Sequence, residues 1–427
     1  MNRTADRRDF LKHLAAGGAA ITLGGTGGRH VLFDADGFGG HLDRARDQEE
    51  RWQVVKDQFL LEPGYIYFNT AGLGPSPRPV ISAFHDAWVR LEAHSETGHG
   101  EREAVREKAA AFLGCTEEEL AFTRSATEGM NLVARGLDLV DGDEVVMTTH
   151  EHPGGAMPWF GLREDVGIRI STFDPGRGGE DTLERVAGAL TPNTRVLMVS
   201  HATCTTGFIM PLPEIAELCH SRDIVLVLDG AQAPGQIHVD LHALGCDFYV
   251  SSGHKWLLAP KGTGFLYVRD EWLDRWKPSY VGAYSDATYD LEAGVFRRLR
   301  PASASEYGTR STPLIVGFGA AFDFLSAMGM EAVTARGSAL ARHLRAGLDE
   351  LGVEILTPEG HAASILTFRL PRSGGTEGEW ASRIRRDHGI RLRPVSEAGL
   401  GGVRASPHVF NTEDEVNRLL EVIQEVV

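Results

Sequence analysis

Short apolar runs alternate with helix-like stretches along the middle of the chain. The runs are continuous rather than alternating in polarity, which is typical of strands that are buried on both faces of a sheet. Between two of them, residues 212–222 have helical spacing with Pro213 in the first turn. This βα alternation predicts a mainly parallel sheet flanked by helices. The predicted strands are residues 120–122, 144–149, 167–173, 194–200, 224–229, 247–251 and 264–268.

The pattern changes after about residue 300. A long helical stretch over residues 312–351 is followed by two candidate strands, at 364–370 and 389–393, and by a final helix that starts near Thr412. Two domains are therefore predicted: a large α/β domain over residues 51–300, which includes an N-terminal segment, and a small α+β domain over residues 301–427.

The first fifty residues differ from the rest of the chain. Arg7 and Arg8 precede Phe10-Leu11-Lys12 and a weakly apolar, Ala/Gly-rich stretch. This pattern resembles a twin-arginine export signal over residues 1–30, and a disordered basic N-terminus is the alternative. Gly/Asp-rich sequence over residues 31–50 predicts a linker. Since no other apolar run approaches about 18 residues, we expect a periplasmic or exported protein without stable membrane insertion, carried by the twin-arginine machinery.

Charge and cysteine content exclude several classes of function. The chain of 427 residues has a net charge of −16 and no Lys/Arg-rich run, so nucleic acid is not an expected partner. Its cysteines are widely spaced without a CxxC pair, so neither a metal site nor a disulfide framework is predicted. We expect small buried core residues at all four positions, which are Cys115, Cys204, Cys219 and Cys246.

An acid and a lysine follow two neighbouring predicted strands. Asp229 ends the run 224–229, and Lys255 comes shortly after the run 247–251. Ligands of open α/β sheets bind beyond the carboxyl ends of the strands, so both side chains are expected at a site. Pyridoxal 5′-phosphate (PLP) chemistry needs this pair, because a lysine amine forms a Schiff base with the cofactor and a carboxylate keeps the ring nitrogen protonated. A structural Asp–Lys salt bridge is the alternative.

Two further segments are compatible with a phosphate-bearing aromatic ligand. Ser125, Ala126 and Thr127 follow the predicted strand at 120–122 and open a helical stretch, where exposed N–H groups and hydroxyls can bind a phosphate. An ordinary helix cap is the alternative. His152 follows the strand at 144–149, where its imidazole can lie against a pyridine ring or be merely solvated.

These residues resemble a known family. Residues 65–427 are similar to fold-type I PLP enzymes of aminotransferase class V, which include cysteine desulfurases and isopenicillin N epimerase-like proteins. The motifs that carry the resemblance are Asp229-Gly-Ala-Gln232, Ser251-Ser-Gly-His-Lys255 and Arg404-Ala-Ser-Pro-His408-Val-Phe-Asn-Thr412. The resemblance implies a mostly parallel seven-stranded sheet flanked by helices, with a small α+β C-terminal domain.

The resemblance also implies a role for each site residue. Lys255 would carry PLP and move the Cα proton, Asp229 would pair with the ring nitrogen, Gln232 would bind the ring hydroxyl and His152 would stack on the ring. Arg404 would bind the substrate carboxylate, with Asn69 and the Ala71 backbone close to the substrate. The phosphate would be surrounded by Ser125, Ala126, Thr127, Ser252 and His254, and by Thr309 of a second subunit, which implies a homodimer.

The sequence disfavours one reaction of this family but does not identify which of the others the protein catalyses. Persulfide-forming desulfuration needs a nucleophilic thiol from a loop of the C-terminal domain, and the chain has no cysteine after Cys246. Gly308-Thr309-Arg310 is closer to the isopenicillin N epimerase-like group. We therefore expect an epimerase or aminotransferase that acts on an α-amino acid or a peptidyl amino acid. A C–S or β-lyase that needs no cysteine is one alternative, and a non-catalytic α/β protein that binds a phosphorylated ligand is another.

Overall fold

A seven-stranded sheet lies at the centre of the computed structural model, which describes residues 35–176, 181–360 and 363–427. Its strands are β2 (Leu120–Thr123), β3 (Glu144–Thr148), β4 (Arg169–Phe173), β5 (Thr194–Ser200), β6 (Val225–Asp229), β7 (Phe248–Ser252) and β8 (Gly264–Val268). The strand order is β2-β8-β7-β6-β5-β3-β4, and every neighbouring pair is parallel except the two pairs that involve β8. The predicted mostly parallel sheet is therefore confirmed.

Helices cover both faces of this sheet. Consecutive strand residues point to opposite faces, and the buried side chains of β6 divide accordingly: Leu226 and Leu228 belong to one core, and Val227 belongs to the other. The helices of this part are α1 (Ala35–Asp43), α2 (Gln48–Lys56), α3 (Arg78–His94), α4 (Glu101–Leu113), α5 (Ala126–Gly136), α6 (Pro153–Val166), α7 (Thr182–Ala189), α8 (Leu212–His220), α9 (Leu241–Leu244), α10 (Asp270–Leu273) and α11 (Thr312–Met328).

A second, smaller sheet lies in the C-terminal part. Strand β14 (Gly402–Ala405) is its centre, between β11 (Leu366–Phe368) and β13 (Arg393–Val395), and both pairs are antiparallel. A third core packs between these strands and three helices. The helices are α12 (Met330–Glu350), α13 (Glu377–His388) and α14 (Glu413–Gln424), and two short paired strands complete the set: β1 (Ile66–Tyr67) with β12 (Ile390–Arg391), and β9 (Asp286–Asp290) with β10 (Val295–Arg298).

Residues of the N-terminal segment pack with the C-terminal part. Strand β1 pairs in parallel with β12, and Phe68 is buried in the third core. Helix α11, by contrast, packs against α3 and α4 within the first core. The predicted domain boundary at residue 300 stays a prediction. Helix α11 comes after that boundary in the sequence, yet its buried side chains belong to the first core.

The linker predicted over residues 31–50 is wrong for the residues that the structure describes. Helix α1 covers 35–43 despite its glycines, because Phe38 and Leu42, one helical turn apart, are buried in the first core. The Phe38 ring stacks on Phe324 with 5.2 Å between the centroids. Tertiary burial therefore outweighs the poor helix propensity of glycine. The proposed twin-arginine segment at 1–30 lies outside the described residues.

The long helical stretch predicted over 312–351 is two helices. They meet at Gly329, which has φ +80°, and they bend by 79°. Within the described parts of the chain, none of the helices is by itself long and apolar enough to cross a membrane, although this bent pair reaches the required length and apolarity together.

Candidate active site

Asp229 lies where β6 ends, at the carboxyl edge of the sheet. Its side chain is 5% exposed, and Oδ1 accepts a hydrogen bond of 2.9 Å from the Ala231 amide. Gly155 of helix α6 approaches the other oxygen so closely that a Cβ atom on this glycine would be 2.8 Å from Oδ2. One carboxylate oxygen is thus bound by a backbone amide, and the other lies close to the backbone of helix α6.

Lys255 follows β7, the strand next to β6. The side chain is 8% exposed. Burial lowers the pKa of its amine, while the charge of Asp229 raises it. A lower pKa favours the unprotonated amine, which is the form that attacks an aldehyde. The structure therefore brings the two principal predicted residues into one site.

His152 is the N-cap residue of helix α6, and its Nδ1 accepts a hydrogen bond of 3.0 Å from the Gly154 amide. Partial desolvation and the charge of Lys255 lower the pKa of the imidazole, whereas the charge of Asp229 raises it. His152 is thus close to both residues. The stacking role that the resemblance implies for the ring stays a prediction.

Gln232 is engaged with protein groups at both ends of its amide. Its Nε2 donates to the Ala71 carbonyl at 2.9 Å, and its Oε1 accepts from Trp256 Nε1 at 2.7 Å. The side chain therefore joins the segment that contains Ala71 to the loop after β7 that carries Lys255 and Trp256, called here the lysine loop. One Nε2 hydrogen is left for a ligand, so binding of a ring hydroxyl stays a prediction.

Four of the residues predicted to surround the phosphate lie together at the start of helix α5, and their phosphate-binding role stays a prediction. Ser125 is its N-cap, and the Ser125 hydroxyl accepts from the Glu128 amide. The Ala126 amide donates to Ser252 Oγ at 3.0 Å, which ties the helix start to the end of β7. Thr127 lies beside Gly154, since a Cβ atom on this glycine would be 2.5 Å from Thr127 Oγ1. His152 accepts from the Gly154 amide, so Thr127 and His152 are close to each other. The first N–H groups of a helix have no intrahelical acceptor and favour an anion.

The other two residues predicted for the phosphate differ in their placement. His254 precedes Lys255, and its Nδ1 is buried with no hydrogen-bond partner among the described residues. Burial and the neighbouring lysines lower its pKa to about 4. Thr309 is exposed, and the next residue, Arg310, anchors this segment to the Phe122 carbonyl at 2.7 Å. Within one chain, therefore, Thr309 is a surface residue.

Arg404 on β14 is 1% exposed, and the residues predicted to bind substrate surround it. It donates to Asn69 Oδ1 at 3.1 Å and to the Cys204 carbonyl. The Ala71 amide donates to Ser406 Oγ at 3.1 Å. Burial and the charge of Arg393 lower the pKa of Arg404 to about 10. Its Nε has no hydrogen-bond partner within the described residues.

Several residues of this site were not predicted. Burial raises the pKa of the Cys204 thiol, while the charges of Arg404 and Lys255 act in the opposite direction. Because the Cys204 carbonyl also accepts from Arg404, this cysteine lies at the site as well as in the core. Arg393 and Glu397 form an ion pair, and their charges act on His152 and Arg404. A site position could not be predicted for Cys204, because it is far in sequence from Lys255 and Arg404. Arg393 lies at the end of the segment 389–393, for which only a strand was predicted.

Glu151 is a further residue that sequence reasoning missed. It accepts hydrogen bonds from the Thr148 hydroxyl at 2.6 Å and from the Ser200 amide and hydroxyl at 3.1 and 2.6 Å. Ser200 is the strand partner of Asp229. Burial, together with the nearby Asp229 charge, raises the pKa of the Glu151 carboxyl to about 7. Glu151 is therefore close to Asp229 and is bound to the strand next to it.

The arrangement fits PLP. Asp229 and Lys255 lie together, a helix start with hydroxyl groups lies on one side, and the unpartnered Nδ1 of His254 is a buried polar atom that a phosphate would satisfy. The unpartnered Nε of Arg404 is a second such atom, on the substrate side. When it is bound, PLP withdraws electrons from the substrate Cα and makes one of its substituents removable.

Comparison with known proteins agrees with this site. The family model described as aminotransferase class-V matches residues 66–419. The isopenicillin N epimerase of Amycolatopsis lactamdurans is 32% identical over 403 residues, which cover 88% of this chain and 98% of that protein. A probable cysteine desulfurase of Methanothermobacter thermautotrophicus is 28% identical and has the same coverage of both chains.

A solved structure is similar over nearly its whole length. It is a lysine-to-alanine variant of C-DES with glycine covalently linked to the PLP cofactor, and it matches with a TM-score of 0.81 and 26% identity over 87% of this chain and 99% of that one. C-DES is a cystine C–S lyase. The fold is thus that of fold-type I PLP enzymes, and PLP is the cofactor. With a family model that spans the sheet, the lysine loop and strand β14, this chain belongs to the class V aminotransferase family.

Proposed function

We propose that this enzyme is an epimerase or aminotransferase that acts on an α-amino acid or a peptidyl amino acid, with PLP attached to Lys255. The observation that carries the proposal is the state of Arg404. Its guanidinium is buried, hydrogen-bonds to the neutral oxygens of Cys204 and Asn69, and keeps Nε without a partner in the described residues. A buried charge of this kind costs free energy unless an anion completes it. The α-carboxylate of an amino acid fits this requirement.

Each residue then has a distinct task. Arg404 binds the carboxylate as a planar fork of donors, and Asn69 orients Arg404. With PLP bound, Asp229 would keep the ring nitrogen protonated. Lys255 would take the proton from the substrate Cα, since burial lowers the pKa of its amine and so favours the unprotonated form. Epimerisation would then need a proton delivered to the opposite face of Cα, whereas transamination would need transfer of the amino group to the cofactor.

The epimerase relatives and the loop sequence support this choice among class V reactions. The segment before β14 reads Arg393-Pro-Val-Ser-Glu-Ala-Gly-Leu-Gly-Gly402 and contains no thiol. A route that passes sulfur to a cysteine of this loop therefore lacks its nucleophile.

A C–S or β-lyase is the second candidate. Cysteine desulfurases are among the relatives, and the solved structure with the TM-score of 0.81 is that of a cystine lyase. A lyase of this type needs only removal of the Cα proton and departure of a β-substituent, for which the same Lys255, Asp229 and Arg404 suffice.

The test uses the purified holoenzyme and a panel of amino acids. The cofactor spectrum, Cα–H exchange in deuterated water, and pyruvate release are recorded for each compound. Inversion at Cα with incorporation of deuterium and without conversion of the cofactor, resolved by chiral chromatography, means epimerisation, and the pyridoxamine form means transamination. Pyruvate from cysteine-like substrates favours the lyase. A protein whose PLP spectrum responds to none of the compounds would contradict the proposal.

We also propose a homodimer. The β9–β10 hairpin carries exposed apolar side chains, among them Leu291 at 88% and Phe296 at 51% exposed. The base of this hairpin lies against the Thr309 segment, because the Gly308 amide donates to the Ala283 carbonyl at 2.9 Å. This apolar surface is therefore continuous with the residue that would reach the phosphate of the partner.

The oligomeric state in solution tests this part of the proposal. Leu291→Glu or Phe296→Glu should convert the dimer to a monomer in analytical ultracentrifugation and weaken PLP retention. Val140→Glu is the control, since Val140 is 61% exposed and lies outside the hairpin. A monomeric parent enzyme, or hairpin variants that remain dimeric, would argue against this interface.

Export of the folded holoenzyme by the twin-arginine machinery is likewise a proposal. It is supported by Arg7-Arg8 and the short apolar stretch that follows. Export after folding suits an enzyme that must acquire its cofactor in the cytosol.

A further inference from the structure

Two arginines lie side by side on the substrate side of the site. Arg393 on β13 is the direct antiparallel partner of Arg404 on β14. Directly opposed residues point to the same face of a sheet, with Cβ atoms about 5 Å apart. Like charges at such positions destabilise a sheet, so a pair of guanidinium groups here needs a compensating acid.

Only one acid compensates the pair in the described structure. Glu397 hydrogen-bonds to Arg393 with both carboxylate oxygens, whereas the hydrogen bonds of Arg404 go to neutral groups. The side chains of Arg393 and Glu397 are 25% and 24% exposed, so this ion pair reaches the solvent while Arg404 does not. Two positive groups therefore share one negative group.

The Arg393–Glu397 pair belongs to the reaction site rather than to the outer surface. Since Arg393 is directly opposite Arg404 in the sheet, the two side chains leave it on the same face. Burial is the main cause that lowers the pKa of Lys255, of His152 and of Arg404, and the charge of Arg393 lowers each of them further. Arg393 is therefore near the site and, unlike Arg404, reaches the solvent.

Glu397 is held by a segment that can release it. None of residues 396–401 is buried: Ser396, Ala398 and Gly399 are exposed, and the other three are half-buried. Ala398 has φ +51°, a left-handed conformation that costs free energy for a residue with a Cβ, and Gly399 and Gly401 also have positive φ. A substrate anion can therefore replace Glu397 at Arg393 without disturbing a packed core.

We propose that Arg393 is a specificity residue that binds a second acidic group of the substrate. The substrate class is then an amino acid, free or peptidyl, that carries a carboxylate beyond its α-carboxylate. Arg404 takes the α-carboxylate and Arg393 takes the distal one, with Glu397 as the group that is displaced. This inference rests on the proposed function and narrows its substrate.

Binding of matched amino-acid pairs tests the assignment. The dissociation constants of L-aspartate, L-glutamate and L-2-aminoadipate, and of the uncharged L-asparagine and L-glutamine, are measured from the cofactor absorbance of the holoenzyme. The parent enzyme should prefer an acid over its amide by about tenfold or more, as expected for one charge-assisted hydrogen-bonded pair. Arg393→Gln should raise the dissociation constant of that acid about tenfold and change that of the amide less than about twofold.

Two further variants sharpen the test. Glu397→Gln frees Arg393 from its competitor, so it should lower the dissociation constant of the same acid. Arg418→Gln is the control: Arg418 forms an exposed ion pair with Glu421 on helix α14 in the C-terminal part, and its loss should change neither constant. Unchanged cofactor absorbance and circular dichroism establish that each variant is folded and loaded.

The outcomes separate this inference from the proposed function. If amino acids perturb the cofactor without any preference for the acids, or if Arg393→Gln weakens acid and amide equally, the second subsite is overturned while the proposed function stands. If neither acids nor amides perturb the cofactor of the parent enzyme, the proposed function fails, and the subsite fails with it.

Discussion

Gly155 and Asp229 are in such close approach that a Cβ atom at position 155 would be 2.8 Å from Asp229 Oδ2. Contacts this short do not persist, so Gly155→Ala must push the carboxylate away from the position that Ala231 fixes. We expect a fall in kcat of at least tenfold and weaker PLP retention, measured by steady-state kinetics and cofactor titration, whereas Asp229→Asn should cost several orders of magnitude in kcat.

Gly161→Ala is the control for this prediction. It lies on the same helix, where the nearest atom to an added Cβ would be Arg135 Nη2 at 3.8 Å. Its activity should match that of the parent enzyme. Equal activity of the Gly155 and Gly161 variants would mean that the position of the Asp229 carboxylate does not limit the reaction.

Replacing Lys255 separates covalent from non-covalent cofactor binding. Lys255→Ala should abolish turnover but still bind PLP, because the phosphate cradle and Asp229 are intact. Borohydride reduction followed by mass spectrometry should locate the label on Lys255 in the parent enzyme and find none in the variant. Lys261→Ala, an exposed lysine six positions away, should keep both label and activity. A label on any other lysine would refute the assignment.

The effect of Arg404 should fall mainly on substrate binding. Arg404→Lys keeps the charge but loses the planar fork, so we expect KM to rise by about ten- to a hundredfold with a smaller change in kcat. Asn69→Ala removes only the oxygen that orients this guanidinium and should raise KM less. Thermal unfolding of both variants checks the fold. An unchanged KM in Arg404→Lys would mean that another group holds the carboxylate.

Glu151 makes stability depend on pH in a defined direction. The pKa of its carboxyl is raised to about 7 in the folded protein, so its contribution to the free energy of unfolding is present at low pH and is lost as pH rises through 7. At roughly 1.4 kcal/mol per pKa unit, the loss is of the order of 3 kcal/mol. Glu151→Gln mimics the protonated form and should escape this loss.

The measurement compares the unfolding free energies of the two proteins at about pH 5 and about pH 8.5. The difference should favour the Gln variant only at the higher pH, while titrations that are common to both proteins cancel. A difference that is the same at both values would show that Glu151 does not titrate in this range.

The N-terminal signal is tested by replacing both of its arginines. Arg7→Lys together with Arg8→Lys should leave the protein in the cytoplasm of a host with a functional twin-arginine pathway, because the machinery reads the arginine pair rather than the charge. Fractionation with antibody detection measures the distribution, and PLP-dependent absorbance should be unchanged. Efficient export of the double variant would exclude this route.

The sequence predicts the central sheet well because its strands are buried on both faces. Runs such as Val225–Asp229 are then continuously apolar, and the polar residue that ends them marks the edge where a ligand binds. Asp229 and Lys255 can be predicted as neighbours for this reason. The start of helix α5 is predictable because Ser125, a favoured N-cap residue, follows a short strand, and the structure shows its side chain capping the helix.

Other features depend on contacts that local sequence does not reveal. Helix α1 forms in a glycine-rich segment because Phe38 and Leu42 find the core. Strand β14 is only four residues long and was not among the predicted strands. Arg404 within it could be assigned a role only through the resemblance, since its near-complete burial depends on tertiary contacts. The amide of Gln232 is occupied by Ala71 and Trp256, which are distant in sequence.

The candidate site joins the segment that precedes helix α3 to strand β14, since the bonds from Ala71 to Ser406 and from Asn69 to Arg404 each connect residues 335 positions apart. A polypeptide still being synthesised therefore cannot complete this site until β14 has been made. Contacts between residues so far apart in sequence form slowly, so we expect the site to be completed after the local βα contacts of the central sheet.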